Sequence, residues 1–219
     1  RRGWCGGGVR GANDGLVSPG SLFAGMATAN APASAILLSG VAGLAAGAFS
    51  MAAGEYVSVS SQADAERADT QIEAAALRDN PHAELDELAA IYVRRGLEPA
   101  LARTVAEQLT AHDGLGSHLR DELGFNEHSR AKPVQAALAS AAAFTCGALP
   151  PVLRAWLWQK PGLATAIVAC TLVLLAVLGY VAERVAGGRG LFGAGRVVLW
   201  GALAMVATAL IGSAFGVSV

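Results

Sequence analysis

Three side chains are set apart by their surroundings. Asp14, in GANDGLV, opens a stretch (LVSPGSLFAGMATA) that carries no charge. Met51 and Glu55 lie four residues apart in AGAFSMAAGEYVSVSSQADAER, and so on one face of a helix. A carboxylate in or beside an apolar span is costly and is a candidate for an ion or proton path. One thioether with carboxylates suits a borderline divalent metal such as Fe²⁺ or Mn²⁺. The plainer alternatives are that Asp14 caps a helix at a membrane boundary, that Met51 is filler, and that Glu55 pairs with an arginine at the interface. Met26 lies about 18 Å beyond Asp14 along a helix. It can share that site only if the helix breaks at Pro19-Gly20.

A second set lies mid-chain. Glu84 and Glu87 are three apart on one face, and His118 and Glu122 are four apart and can face one ion. Glu98, Glu107 and His112 stand nearby in sequence. Taken singly, each is a solvated helix face. All four histidines (His82, His112, His118, His128) fall in this block, which favours a metal reading. No Glu-x-x-His pair is present, so a ferritin-like di-iron bundle is unsupported. HExxH, Walker and GxSxG patterns are also missing, so no enzyme is expected. Cys5, Cys146 and Cys170 have no CxxC spacing and read as small apolar residues.

The elements holding these groups follow from composition. The chain has 219 residues, 53% hydrophobic and 15% charged, against about a quarter charged in soluble domains. Of its 17 acidic residues, only Asp14, Glu55 and Glu183 lie outside the stretch from Asp64 to Glu127. Apolar flanks therefore enclose a polar, acidic middle, and the near-zero net charge gives no basis for a nucleic-acid partner. The chain begins RRGW without Met, so a missing N-terminal piece is expected.

A bilayer crossing needs about 20 mostly apolar residues. Five stretches qualify: 11–30, 33–57, 133–153, 163–182 and 196–217. With five spans, one side of the membrane holds Arg1, Arg2, Arg10, the middle block, Arg184, Arg189 and Arg196. The other holds Arg154 and Lys160. The positive-inside rule puts the richer side in the cytoplasm. The expected architecture is an all-α membrane protein: spans one and two in 1–58, a cytoplasmic acidic helical domain in 59–132, and spans three to five in 133–219. Gly11–Gly15, Gly43–Gly47 and Gly212–Gly216 have the four-residue spacing that lets helices approach closely, within one subunit or between two. Pro19 and Pro150-Pro151 should bend their helices.

Within the middle block, Ser60–Leu77 is rich in helix formers and extends the second span until Asn80-Pro81 breaks it. Leu85, Leu88, Ile91 and Tyr92 keep helical spacing up to Gly96. Leu101, Val105 and Leu109 form the next stripe, and Ser117 is expected to cap a short helix ending near Gly124.

GANDGLVSPGSLFAG, VAGLAAGAFSMAAGEYVSVSSQADAERAD, LAAIYVRRGLEPALARTVAEQLTAHD and RDELGF together resemble the vacuolar iron transporter family, in its bacterial branch, across essentially the whole chain. The resemblance implies five membrane helices with a cytoplasmic three-helix domain between the second and third. It also implies a homodimer with the ion path along the subunit interface, and exchange of Fe²⁺ for protons. Asp14 matches the family's first-span carboxylate and Met51 its second-span methionine. Glu87, Glu98 and Glu122 fall where the family's cytoplasmic domain gathers metal with glutamates. This chain departs at Gly43, Ala90 and Leu101, where family carboxylates are replaced, and at His118-Leu119, where a methionine pair is replaced. Glu55 could substitute for the carboxylate missing at Gly43, and imidazole at His118 still suits Fe²⁺ or Mn²⁺.

The expected function is a proton-coupled divalent-metal transporter moving Fe²⁺ or Mn²⁺ out of the cytoplasm, with no permanently bound cofactor. The candidate ligands are Asp14, Met51, Glu55, Glu84, Glu87, Glu98, His118 and Glu122. The expected partners are the metal ion, protons, the lipid bilayer and a second copy of the chain. The Ala-, Gly- and Arg-rich composition points to a bacterial plasma membrane. The alternative is a membrane-anchored metal buffer or sensor that does not transport.

Overall fold

The computed structural model describes residues 2–125, 131–157 and 162–216. Among them the chain forms seven helices and no strand: α1 (Arg2–Thr28), α2 (Ala33–Asp79), α3 (Pro81–Arg94), α4 (Pro99–Asp121), α5 (Pro133–Leu157), α6 (Leu163–Val185) and α7 (Gly190–Gly216). The chain divides into two compact units, residues 1–56 with 134–219, and residues 57–133.

In the first unit, α2, α5, α6 and α7 are long and apolar enough to cross a membrane. The expected first span lies in α1, which is not among the four by that measure. Its packing accounts for its small, less apolar residues. Gly11, Gly15, Leu16, Pro19, Gly20, Phe23 and Ala24 of α1 are buried against neighbouring helices. Leu16 and Ala24 pack with Leu175 and Met205, while Phe23 packs with Ile36, Val152 and Ile167. A β-carbon on Gly15 would collide with the Phe144 backbone carbonyl, and one on Gly147 with that of Ala12, so α1 and α5 touch backbone to backbone. Gly212 and Gly216 do the same against Gly25 and Ala29. Such small-residue seams replace the hydrophobic effect between helices in lipid. Large apolar side chains on the outer helices, among them Phe49, Leu138, Val173, Trp200 and Phe215, are exposed.

Pro19 lies inside α1, and Pro150 and Pro151 inside α5, without ending either helix. Because α1 runs on past Pro19, Met26 stays at the far end from Asp14. There its sulfur accepts a hydrogen bond from Ser39 Oγ at 2.6 Å.

In the second unit, α2 continues to Asp79, and Pro81 opens α3 at the first helical turn, where a missing N–H costs nothing. Gly96, at φ 101°, closes α3 in the left-handed conformation that glycine adopts freely. Leu88, Ile91 and Ala106 form the core, with Leu85, Tyr92 and Leu109 packed on it. The α4 stripe differs from expectation. Ala102 and Ala106 are fully buried while Leu101 is exposed, so the buried face of α4 runs through the alanines, and of the expected stripe Leu109 packs on the core.

The end of α4 is a separate turn. Asp113 leaves helical geometry (φ −159°, ψ 82°), and its Oδ1 accepts the Gly116 N–H at 3.0 Å. Asp113 is thus the cap expected of Ser117, which is buried instead. Beyond Asp113 the chain turns back along α3, so that His118 reaches Glu84 and Asp121 reaches Tyr92.

Candidate metal centre

Three helices of the second unit converge on His118. Its side chain is fully buried, and Nδ1 lies 3.0 Å from Glu73 Oε1 of α2, 3.8 Å from Glu84 Oε2 of α3, and 3.1 Å from Glu122 Oε2 one turn further along its own chain. Ligand atoms of Glu73, Glu84 and His118 all lie within 4.8 Å of one another. The Glu122 contact has hydrogen-bond geometry. Glu73 Oε1 is as close to Nδ1 but, among the described residues, has no hydrogen-bond partner; nor has His118 Nε2.

Three carboxylates around one imidazole repel each other in a partly dry site. Burial pushes the Glu73 carboxyl above the ordinary carboxylate range. The charges of Glu122, Glu84 and Glu87 push the same way, and His118 opposes them. A divalent cation would relieve this repulsion. The donor set, one imidazole nitrogen and carboxylate oxygens, suits Fe²⁺, Mn²⁺ or Zn²⁺ rather than a soft ion.

A second network holds the same turn of chain. Asp121 accepts from Tyr92 Oη at 2.9 Å and from Arg95 Nη1 at 2.6 Å, and the Arg95 guanidinium stacks 5.3 Å from the Tyr92 ring centre. Burial raises the Asp121 carboxyl, but the Arg95 and Tyr92 hydrogen bonds outweigh it and leave it below the usual carboxylate range. These bonds tie Asp121 to the end of α3 and so fix the turn bearing His118 and Glu122.

The eight residues expected at the site separate into groups. Glu84, His118 and Glu122 come together, and Glu87 is exposed beside them, near enough to act on Glu73 through its charge. Glu98 is exposed at the N-cap of α4 and makes no side-chain cap bond. In the first unit, Asp14 is half-buried, with Asn13 Nδ2 at 3.4 Å as its hydrogen-bond partner among the described residues. Met51 is half-buried and Glu55 exposed, one turn apart on α2. Glu73 was missed from the sequence. It is an acid among small residues on a helix (Ala74, Ala75 and Ala76 follow it), which is a weak signal by itself.

Comparison with known proteins bears on this arrangement. Residues 7–213 match the model of the VIT family. The chain is 43% identical over 211 residues to a vacuolar iron transporter of Acanthamoeba castellanii, covering 96% of this chain and 78% of that one. It is 33% identical to vacuolar iron transporter 1 of rice, with 91% and 80% covered. A rice vacuolar iron transporter homolog 1 is 36% identical, with 94% and 71% covered. These relatives come from an amoeba and a plant and lend no support to a bacterial branch. The apolar helices and this kinship together make the protein an integral membrane protein. With nearly its whole length matched, the chain belongs to the vacuolar iron transporter (VIT) family.

Proposed function

We propose that the chain carries Fe²⁺, with Mn²⁺ the next candidate, across a membrane in exchange for protons, outward from the cytoplasm. The observation that carries this reading is the cluster of Glu73, Glu84 and Glu122 about the buried Nδ1 of His118. Its donor set suits a divalent cation, and the chain's relatives are named iron transporters.

In this reading α1 is a fifth span, shielded from lipid by its neighbours. The second unit lies in the cytoplasm, as the excess of Arg10, Arg184, Arg189 and Arg196 over Arg154 and Lys160 suggests. The acidic helices, with Glu87 and Glu98 at their rim, concentrate the ion. The ion then passes Asp14 and Met51 along the interface of a homodimer, and Glu55 stands one turn from Met51. Asp14 takes either a proton or the metal, and that competition couples the two flows. No permanently bound cofactor and no enzyme activity is called for.

A buffer or sensor is the second reading. It is favoured by the confinement of the cluster to the second unit. Sealed proteoliposomes loaded with an iron-sensitive dye separate the two. Transport predicts saturable Fe²⁺ entry, whereas binding without entry leaves the buffer reading standing.

A further inference from the structure

A cleft of about 440 Å³ opens between α1, α6 and α7 in the first unit. Arg10, Asn13 and Arg196 line it together with Val17, Leu178 and Trp200. Among the described residues no carboxylate lines it. A smaller cavity beside it shares Arg196 and adds Arg189, Phe192 and Glu183. Glu183 engages Arg196 at 3.2 Å and offsets one positive charge. Among the described residues Arg10 and Arg189 have no ion pair; with Asp14, whose carboxylate accepts from Asn13 beside the cleft, also counted, the region keeps an excess of one positive charge.

A cleft of this sign repels a metal cation and suits an anion. Its walls narrow the choice. Guanidinium groups recognise phosphate through paired N–H donors, and arginine keeps its charge at any physiological pH. The Val17, Leu178 and Trp200 walls give a hydrocarbon chain an apolar lane, which free phosphate does not need. Trp200 is exposed, as aromatic side chains at a membrane boundary are. Basic pockets between membrane helices bind anionic headgroups.

From this charge and lining we propose that the cleft binds an anionic glycerophospholipid, its phosphate between Arg10 and Arg196 and one acyl chain along Val17, Leu178 and Trp200. The lipid would join α1 to α7 at their polar ends.

The test uses the full chain, delipidated in detergent and given phosphatidylglycerol or phosphatidylcholine of identical acyl chains. Native mass spectrometry should show phosphatidylglycerol retained about tenfold more than phosphatidylcholine. Arg10→Gln with Arg196→Gln should abolish that preference, while Arg67→Gln, an exposed arginine of the second unit, should leave it intact. In case the double variant misfolds, the unmutated chain supplies a second readout: phosphatidylglycerol should raise its melting midpoint by more than phosphatidylcholine does. Equal retention of the two lipids, or a preference surviving the double variant, overturns the proposal. So does displacement of the lipid by millimolar inorganic phosphate alone, which would indicate a free-anion site. Loss of a dimer in the double variant with lipid retention unchanged would make the cleft a contact between copies, and also overturns it.

Discussion

His118 Nδ1 and Glu73 Oε1 stand 3.0 Å apart, and the glutamate oxygen is buried without a hydrogen bond. A proton on Nδ1 can serve only one of its carboxylate neighbours, Glu122 or Glu73, whereas a divalent cation in its place can be shared by all of them. Glu73→Gln in the full-length protein should therefore weaken Mn²⁺ binding by about tenfold or more, the lower range for lost metal-site support. Anaerobic titration calorimetry checks this, and unchanged affinity would remove Glu73 from the site.

Glu87→Gln with Glu122→Gln should also weaken binding. Most of the loss should come from Glu122, since its oxygen is 3.1 Å from Nδ1 while Glu87 acts only through its charge. The single variants separate the two contributions. An equal effect from each would contradict the geometry.

His118→Met restores the thioether that the family resemblance places here. Thioether sulfur is a poor ligand for Mn²⁺ and a better one for softer ions. The variant should bind Mn²⁺ several-fold more weakly relative to Fe²⁺ than the parent does. An unchanged ratio in competition titrations would show that the imidazole does not touch the ion.

The Asp121 clamp carries a pH signature. Its folded-state carboxyl titrates below the ordinary value, so its stabilising effect is complete above about pH 3.9 and is lost as pH falls through the lowered folded value. Asp121→Asn should melt earlier than the parent near neutral pH, with the gap closing in acid. Tyr92→Phe removes one hydrogen bond and should cost about 1 kcal/mol. A gap that widens in acid would refute the clamp.

Gly15→Ala should lower the melting midpoint in detergent, because the added methyl meets the Phe144 backbone rather than a movable side chain. Overpacking of this kind costs about 1–3 kcal/mol. Gly54→Ala, with open space around it, is the control and should be neutral or mildly stabilising. Equal midpoints for the two variants would deny the close seam of α1 and α5.

Local chemistry made part of this molecule legible beforehand. Asn80-Pro81 and Gly96 punctuate the chain where α3 begins and ends, and the spacing of His118 and Glu122 brings them to one point. What stayed hidden was tertiary. A new short helix before Gly124 was legible, but not that the turn at Asp113 brings His118 to Glu73 of α2. Leu101 looked like core by its type, but it is exposed and the α3 contact is made by Ala106 next to Leu88 and Ile91. The glycine pairs at Gly11–Gly15 and Gly212–Gly216 left two uses open by spacing, and in the fold they pack α1 against α5 and α7.

The most direct measurement follows iron and protons together in sealed proteoliposomes, with one dye for each, for the parent and for Asp14→Asn. The account predicts Fe²⁺ entry matched by opposite proton movement in the parent, and loss of that coupling in the variant. Iron-driven proton movement that survives unchanged in Asp14→Asn would contradict it.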